Sequence, residues 1–196
     1  MKERILVTGG TGYIGSHTVV ELQNSGYDVV IVDNLSNSSA DVVDNIEKVS
    51  GIRPAFEKLD CLDLEGMDKL FTKYPGIKGI IHFAASKAVG ESVQKPLLYY
   101  RNNLVSLINL LELMPKHGVE GIIFSSSCTV YGQPDVLPVT EEAPIKKAES
   151  PYGNTKQINE EIIRDTVASG SPINAIMLRY FNPIGAHPTA LIGELP

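Results

Sequence analysis

Hydrophobic and polar positions alternate along the chain in blocks that predict strands and helices in turn. Arg4 to Thr8 is a short apolar run typical of a buried strand, and the stretch from Tyr13 to Ser25 has the spacing of a helix. Gly26 directly follows, where a glycine commonly ends a helix. Val29 to Val32 is again continuously apolar, and Asp28 to Val32 predicts a second strand, which ends at Asp33.

The same alternation continues to the end of the chain. It predicts further helices at Asp41 to Val49, Leu64 to Tyr74, Pro96 to Lys116 and around Tyr152, and further strands at Ala55 to Leu59, Gly79 to Ala84, Gly121 to Phe124 and Asn174 to Leu178. Residues 133–150 contain three prolines and predict a loop. Alternation of this kind predicts an α/β fold of the Rossmann type, a doubly wound, mostly parallel sheet with helices on both faces. Ligands then bind beyond the carboxyl ends of the strands.

Three glycines lie on the turn from the first strand to the first helix. Gly9, Gly12 and Gly15 are three positions apart within the segment that continues through Tyr13 and Ile14. Without β-carbons, the chain can turn tightly, and a dinucleotide pyrophosphate can approach the backbone and the helix N-terminus. A turn without a ligand is the alternative, but the complete strand, helix and strand around it favour dinucleotide binding.

Asp33 ends the second strand, where an acidic side chain would accept hydrogen bonds from the adenosine ribose. Its carboxylate would repel a ribose 2′-phosphate, and the residues that follow, Asn34 to Ser39, contain no basic group. We therefore expect NAD and not NADP. Lys2 and Arg4 could change this preference only if the fold brought them to Asp33.

Composition and charge narrow the class of protein. A chain of 196 residues, 43% of them apolar, can bury a substantial core, and a net charge of −6 gives no support for nucleic-acid binding. No apolar run reaches the length of a membrane span, and the charged residues 1–4 lead into a strand and not into a signal sequence. Cys61 and Cys128 are isolated, which favours the cytoplasm. The four histidines have no metal-binding spacing, so we assign no metal.

Tyr152 and Lys156 form the candidate acid/base pair. Four residues apart on a helix, their side chains share one face and can reach one reacting centre. A free tyrosine loses its proton only near pH ~10, and a nearby ammonium should lower that pKa. Such pairs also occur on ordinary solvated helix faces, so the spacing alone is weak support.

Polar residues follow three of the predicted strands. Ser86 and Lys87 come after Gly79 to Ala84, three serines including Ser127 come after Phe124, and a run containing Tyr180 and Asn182 comes after Leu178. A serine run can simply satisfy its own backbone. Together, however, these residues predict a site along one edge of the sheet.

These motifs resemble the extended short-chain dehydrogenase/reductase family and, within it, the group of UDP-galactose (UDP-glucose) 4-epimerases. The matching stretches cover nearly the whole chain, and they are Val7 to His17, Asp33 to Asn37, Lys87 to Ser92, Ser125 to Gly132, Pro151 to Lys156 and Arg179 to Pro188. The stretches at Lys87 and Tyr180 are specific to the epimerase group.

The resemblance implies a bound NAD and the interconversion of UDP-galactose and UDP-glucose through a transient 4-keto sugar. It implies that Tyr152 is the acid/base, that Ser127 shares its proton and that Lys156 bonds the nicotinamide ribose. The other residues that it places at the cofactor are Gly9, Gly12, Tyr13, Ile14, Gly15, Asp33, Asn34, Asn37, Ser38, Asp60, Cys61, Phe83, Ala84, Ala85, Lys87, Asn102 and Tyr180. At the substrate it places Lys87, Ser127, Tyr152, Phe181 and Asn182. It also implies a homodimer of the full-length form.

Two departures from the family pattern and two alternatives accompany this interpretation. Ala85 and Ser86 stand where such epimerases usually have Gly-Leu, and the likeness runs out within residues 183–196, which we expect to begin a substrate-binding region after an NAD domain at 1–182. A 4,6-dehydratase would want acids after the serine, where this chain has Cys128 and Thr129. A non-catalytic NAD-binding module is the other alternative.

Overall fold

Six parallel strands form the sheet around which the chain is built, in a computed structural model that describes residues 2–194. The strands are β1 (Arg4–Thr8), β2 (Asp28–Asp33), β3 (Ala55–Lys58), β4 (Ile77–His82), β5 (Gly121–Ser127) and β6 (Asn174–Tyr180). Their order is β3-β2-β1-β4-β5-β6, and all five neighbouring pairs are parallel. The strand order therefore reverses between β1 and β4, which opens a crevice at their carboxyl ends.

The helices connect these strands and begin and end at recognisable signals. They are α1 (Tyr13–Asn24), α2 (Asp41–Ser50), α3 (Leu64–Lys73), α4 (Val89–Gln94), α5 (Pro96–Lys116) and α6 (Pro151–Ala168), with a 3-10 turn at Cys128–Tyr131. Proline occupies the first turn of α5 and of α6, where its missing N–H costs no hydrogen bond. Ser150 caps α6, because its Oγ accepts the Gly153 N–H at 3.1 Å. After α1 the chain turns at Gly26, whose φ is +91°, as predicted.

Each face of the sheet has its own apolar core. On one face, side chains such as Val7, Val29 and Ile31 pack with residues of α1 and α2. On the other, Leu6, Val30 and further strand residues pack with α3, α5 and two isoleucines of α6. The predicted doubly wound fold with helices on both faces is confirmed, and the sheet is parallel throughout.

The boundaries of some elements differ from the sequence prediction. β4 lies two residues earlier than predicted, β5 continues to Ser127 and β6 continues to Tyr180. The serines stay in the strand because Ser125, Ser126 and Ser127 pair in register with residues 178–180 of β6. The six-residue helix α4 was not predicted, since one and a half turns are too short to show a hydrophobic period.

Within residues 2–194, no helix combines the length and the apolar character needed to cross a membrane.

Candidate active site

The glycine-rich turn joins β1 to α1 at the sheet's crevice. Gly9 has a left-handed φ of +70°, which glycine adopts without strain. A β-carbon on Gly15 would lie only 2.1 Å from the carbonyl oxygen of Gly9, so α1 can approach β1 this closely only with glycine there. Gly12 caps α1 without a side-chain hydrogen bond, which leaves the first amides, including those of Tyr13 and Ile14, facing outward from the helix end. Such a helix terminus suits a phosphate.

Asp33 lies directly beside this turn. One carboxylate oxygen accepts the N–H of Thr11 at 3.2 Å, and the other accepts the hydroxyl of Ser38 at 3.3 Å. The amide of Asn34 donates to Asp60 at 3.0 Å, which joins the ends of β2 and β3. The structure therefore brings together four of the residues that the resemblance places at the cofactor, Asp33, Asn34, Ser38 and Asp60.

The remaining predicted residues in this region differ in exposure. Asn37 is exposed, whereas Cys61 is buried, and burial raises the pKa of the Cys61 thiol to about 12. The thiol is therefore neutral at physiological pH and contributes a small apolar surface. Arg4 pairs with Asp28 at 2.6 Å at the start of β1 and β2, the opposite end from Asp33, so it cannot favour a 2′-phosphate there.

The end of β4 forms the other wall of the crevice. The N–H of Phe83 donates to Thr8 at 3.0 Å, which continues the pairing of β1 with β4 past their last residues. A β-carbon on Gly9 would lie 2.7 Å from the backbone nitrogen of Ala84, so the glycine turn packs directly on this segment. Phe83, Ala84 and Ala85, which the resemblance places beside the cofactor, are all half-buried at this position.

The segment after β4 is tied to the long helix α5. Asn102 donates to the hydroxyl of Ser86 at 3.1 Å, and the buried amide of Asn103 bonds both the N–H and the carbonyl of Ser86. Lys87 is exposed and pairs with Glu194 at 3.0 Å. Asn102 and Lys87 therefore lie on the same side of the crevice, although they do not bond each other.

Ser127 and Tyr180 are brought to the carboxyl edge by the pairing of β5 with β6, in which they are direct partners. Ser127 is 8% exposed, and its Oγ accepts the N–H of Thr129 at 3.2 Å. The Tyr180 ring lies 6.3 Å from the ring of Phe83, measured between centroids. Tyr180 on β6 thus reaches across the end of β5 to the segment that follows β4.

Lys156 lies on α6 one turn after Tyr152, with its ammonium 5.8 Å from the Tyr152 ring centroid. The side chain is 3% exposed, and Nζ donates to the carbonyl of Ser125 at 2.7 Å. It also sits 4.8 Å from the ring centroid of Phe124, a favourable cation–π distance. Because no carboxylate among the described residues pairs with it, burial lowers the pKa of Lys156 to about 8.

The pKa of Tyr152 is shifted opposite to the sequence prediction. Burial raises it, and the Ser127 side chain opposes that rise. The ammonium of Lys156 points to the Ser125 carbonyl and does not contribute to the shift, although its position on the helix is as predicted. Burial therefore favours the neutral phenol of Tyr152, and Ser127 is the neighbour that favours its ionisation.

The chain after β6 crosses back over α1. The Tyr13 hydroxyl donates to the carbonyl of Gly185 at 2.6 Å, and Ile192 is 4% exposed in the core of that face. Phe181 and Asn182 are exposed at the start of this segment. Residues 183–194 thus pack on the nucleotide-binding fold. Residues 195 and 196, which complete the predicted 183–196 segment, lie outside the described residues.

Comparison with known proteins identifies the family. Residues 5–194 match the model of the NAD dependent epimerase/dehydratase family. The chain belongs to this family. It is 52% identical over 194 residues to the UDP-glucose 4-epimerase of Dictyostelium discoideum, covering 99% of this chain and 56% of that protein. It is also 52% identical over 192 residues to the UDP-glucose 4-epimerase of Bacillus subtilis, again covering 56% of the relative.

Solved structures of family members have the same fold. The UDP-glucose 4-epimerase of Stenotrophomonas maltophila, crystallised with NAD and formylated UDP-arabinopyranose, superposes with a TM-score of 0.95 at 48% identity. That comparison covers 99% of this chain and 57% of the solved one. The enzyme of Bifidobacterium longum, in complex with NAD+ and UDP, also gives a TM-score of 0.95 at 48% identity. This member of the epimerase/dehydratase family therefore spans a little over half the length of these relatives.

Sequence reasoning missed several polar residues that surround the site in this family member. Glu160 is buried between α6, β5 and β6, and His82 is buried with Nδ1 2.7 Å from the hydroxyl of Thr8. The helical spacing from Tyr152 through Lys156 to Glu160 was a usable signal for Glu160. No comparable signal existed for Asn103, since its partners come from distant segments. Among residues 2–194 there is no group of three His, Cys, Asp or Glu side chains that could hold a metal ion.

Proposed function

We propose that this chain binds NAD in the crevice between β1 and β4. Three observations support binding of NAD there. No side chain bonds the first amides of α1, the glycine turn packs so closely that a β-carbon would prevent it, and the Asp33 carboxylate lies beside the turn. The helix end suits the pyrophosphate and Asp33 suits the ribose hydroxyls. The crystallised relatives from S. maltophila and B. longum hold NAD.

We further propose that the protein of which this chain is a part interconverts UDP-galactose and UDP-glucose by inverting carbon 4 of the sugar. The observation that carries this proposal is the meeting of Ser127, Tyr152 and Lys156 at the edge of the crevice, in a chain about half identical to UDP-glucose 4-epimerases. Bound NAD would supply the hydride acceptor and donor for carbon 4, and the 4-keto sugar would take the hydride back on its opposite face.

The chain's own residues would move the proton that accompanies each hydride. Tyr152, as the phenolate, would take the proton of the 4-hydroxyl and then return it as the phenol. Ser127 is the group that favours the phenolate and would hydrogen-bond the same hydroxyl. Lys156, buried and held at the Ser125 carbonyl, would bond the nicotinamide ribose.

The remaining assignments extend this proposal. Residues 1–182 would be the NAD domain with the catalytic groups, and 183–196 the start of the substrate-binding region. Lys87, Phe181 and Asn182 would contact the UDP-sugar, and their exposure at the edge of the crevice supports that role. We also propose a cytoplasmic location. We propose in addition that the full-length form is a homodimer, and the exposed leucines on α5, where Leu97 is 81% exposed, support that pairing.

The chemistry after Ser127 favours epimerisation over dehydration. Elimination of water from the sugar needs a carboxylic acid and a carboxylate next to the serine. The 3-10 turn that follows Ser127 presents Cys128 and Thr129, neither of which can replace those groups.

Conversion of UDP-galactose to UDP-glucose by the full-length form, without added NAD, tests the proposal. We expect conversion by the parent protein and a loss of several orders of magnitude in turnover for Tyr152→Phe, with NAD retained. A full-length protein that holds NAD but converts neither sugar would contradict the epimerase proposal and favour a non-catalytic NAD-binding module.

A further inference from the structure

A buried carboxylate lies beneath the proposed acid/base centre and has no part in the mechanism above. The Glu160 side chain is 1% exposed and accepts four hydrogen bonds. Oε1 accepts from Ser126 Oγ at 2.6 Å and Arg179 Nε at 3.0 Å, and Oε2 accepts from Arg179 Nη2 at 2.8 Å and Arg164 Nη2 at 2.6 Å. Burying a charge is costly unless it is paired and hydrogen-bonded, and these four bonds offset that cost for the Glu160 carboxylate.

The donors come from the elements that carry the catalytic groups. Ser126 precedes Ser127 on β5, and Arg179 precedes Tyr180 on β6, in direct register with Ser126. Glu160 lies on α6 one turn after Lys156, on the same face as that residue. A single carboxylate therefore connects α6 to two adjacent strands, one residue away from each strand's proposed functional side chain.

The Glu160 carboxylate is ionised, and its bonds to Arg179 fix the relative orientation of the two side chains. Burial alone would raise the pKa of the Glu160 carboxyl, but Arg179, Ser126 and Arg164 together hold it below its usual range, so it stays ionised. Arg179 is fixed further by a 3.0 Å hydrogen bond to the Tyr131 hydroxyl. Charge-assisted bidentate bonds of this kind impose a defined orientation on both partners.

Apolar packing does little to position α6. Its buried residues are Gly153, Thr155, Lys156, Asn159, Glu160 and Ile163, of which only the last is a large apolar side chain. The long helix α5, in contrast, buries several leucines and a methionine. Besides Ile163 and the half-buried Ile162, α6 is therefore held on the sheet mainly by hydrogen bonds of its buried polar side chains.

We propose that Glu160 is a positioning residue that, through Arg179 and Ser126, fixes the spacing between Tyr152 on α6 and Ser127 on β5. Its consequence for turnover rests on the proposed epimerase function, whereas its consequence for the spacing does not. The groups that face Tyr152 are Ser127, the Cys128 thiol, the Tyr99 phenol of α5 and, at 5.8 Å from the Tyr152 ring centroid, Lys156.

Two identical substitutions around the same carboxylate provide the test. Arg179→Lys keeps the charge but loses the bidentate bond between α6 and β6. Arg164→Lys keeps the charge and alters only an i,i+4 contact within α6, where residue 164 is 45% exposed. The readout is the pKa of the Tyr152 phenol, followed by carbon-13 NMR of labelled tyrosine and assigned with Tyr152→Phe, in the chain without NAD or sugar.

The Ser127 side chain lowers the pKa of Tyr152, so a wider spacing should raise it, in the same direction as Ser127→Ala. We expect Arg179→Lys to decrease the acid dissociation constant of the phenol roughly threefold or more, and Arg164→Lys to leave it unchanged. Equal values for both lysine variants and the parent would overturn the proposal.

Glu160→Gln gives a second, independent variant in case Arg179→Lys does not fold. Removal of a nearby negative charge would by itself lower the pKa of Tyr152, so a rise would report that Tyr152 has moved relative to Ser127 and the surrounding side chains. A lower or unchanged pKa in folded Glu160→Gln contradicts the proposal.

In the full-length form, we expect Arg179→Lys to lose about a hundredfold in turnover while NAD affinity is retained. A full-length protein without epimerase activity would refute the proposed function, but the Tyr152 titration would still decide whether Glu160 acts as a positioning residue.

Discussion

Lys156→Met should show how much stability the buried ammonium costs. Burial lowers the pKa of Lys156 from 10.5 to about 8, and a difference of about 2.5 pH units corresponds to about 3 kcal/mol. The folded-state pKa lies below the unfolded one, so the unfolded chain binds more protons between these values, and parent stability rises with pH there. Below about pH 8 the full penalty is present, because both states carry the charge.

Methionine has a similar length and no charge, so it removes this titration. It also removes the hydrogen bond to Ser125, which offsets roughly 1.5–3 kcal/mol of the gain. The discriminating quantity is therefore the pH dependence: the free energy of unfolding of the variant minus that of the parent should fall by about 3 kcal/mol between about pH 7 and 10.5.

Urea denaturation followed by circular dichroism across this range measures the difference directly. Lys58→Met is the matched control, since Lys58 is exposed and forms no ion pair with the described residues, so its removal should leave the pH dependence of the parent unaltered. A difference that stays constant with pH would refute the idea that burial of the Lys156 ammonium costs stability.

Three further predictions concern other residues. Gly15→Ala should destabilise the chain by about 3 kcal/mol in urea denaturation, because its β-carbon has no space, whereas Gly90→Ala, open on all sides, should not; equal values would contradict the packing argument. Asp33→Ala should weaken NAD binding roughly tenfold or more by calorimetry, and Asp28→Ala, at the other end of β2, should not. His82, whose pKa burial lowers from 6.5 to about 3, should make the chain lose stability as pH falls through that window, and an unchanged acid slope in His82→Gln would oppose this.

Much of the fold could be predicted from local pattern. The strand, glycine turn and helix at Arg4 to Asn24 follow from residues within a few positions of one another, and they lie where the sequence predicted them. The extent of β5 could not be predicted, because its serines remain in the strand only through pairing with β6, which is more than 40 residues away along the chain. The helix α4 could not be predicted either, because its six residues are too few to show a hydrophobic period.

In the candidate site, too, relations between residues near in sequence could be predicted, whereas contacts between distant segments could not. Sequence by itself determined which residue types were present and which of them share a turn or a helix face: the glycines at 9, 12 and 15, Asp33 at a strand end, and Tyr152 one turn before Lys156. These are relations within a single element, and backbone geometry dictates them.

Only the tertiary structure decided the energetics of those residues. Glu160 bonds Ser126 from 34 residues away and Arg179 from 19, contacts that no spacing along the chain encodes. Burial raises the pKa of Tyr152 where the helical pair with Lys156 predicted a lower value. Desolvation and the direction of a buried ammonium depend on everything that packs around them, so the chemistry of the pair was set by the fold and not by its spacing.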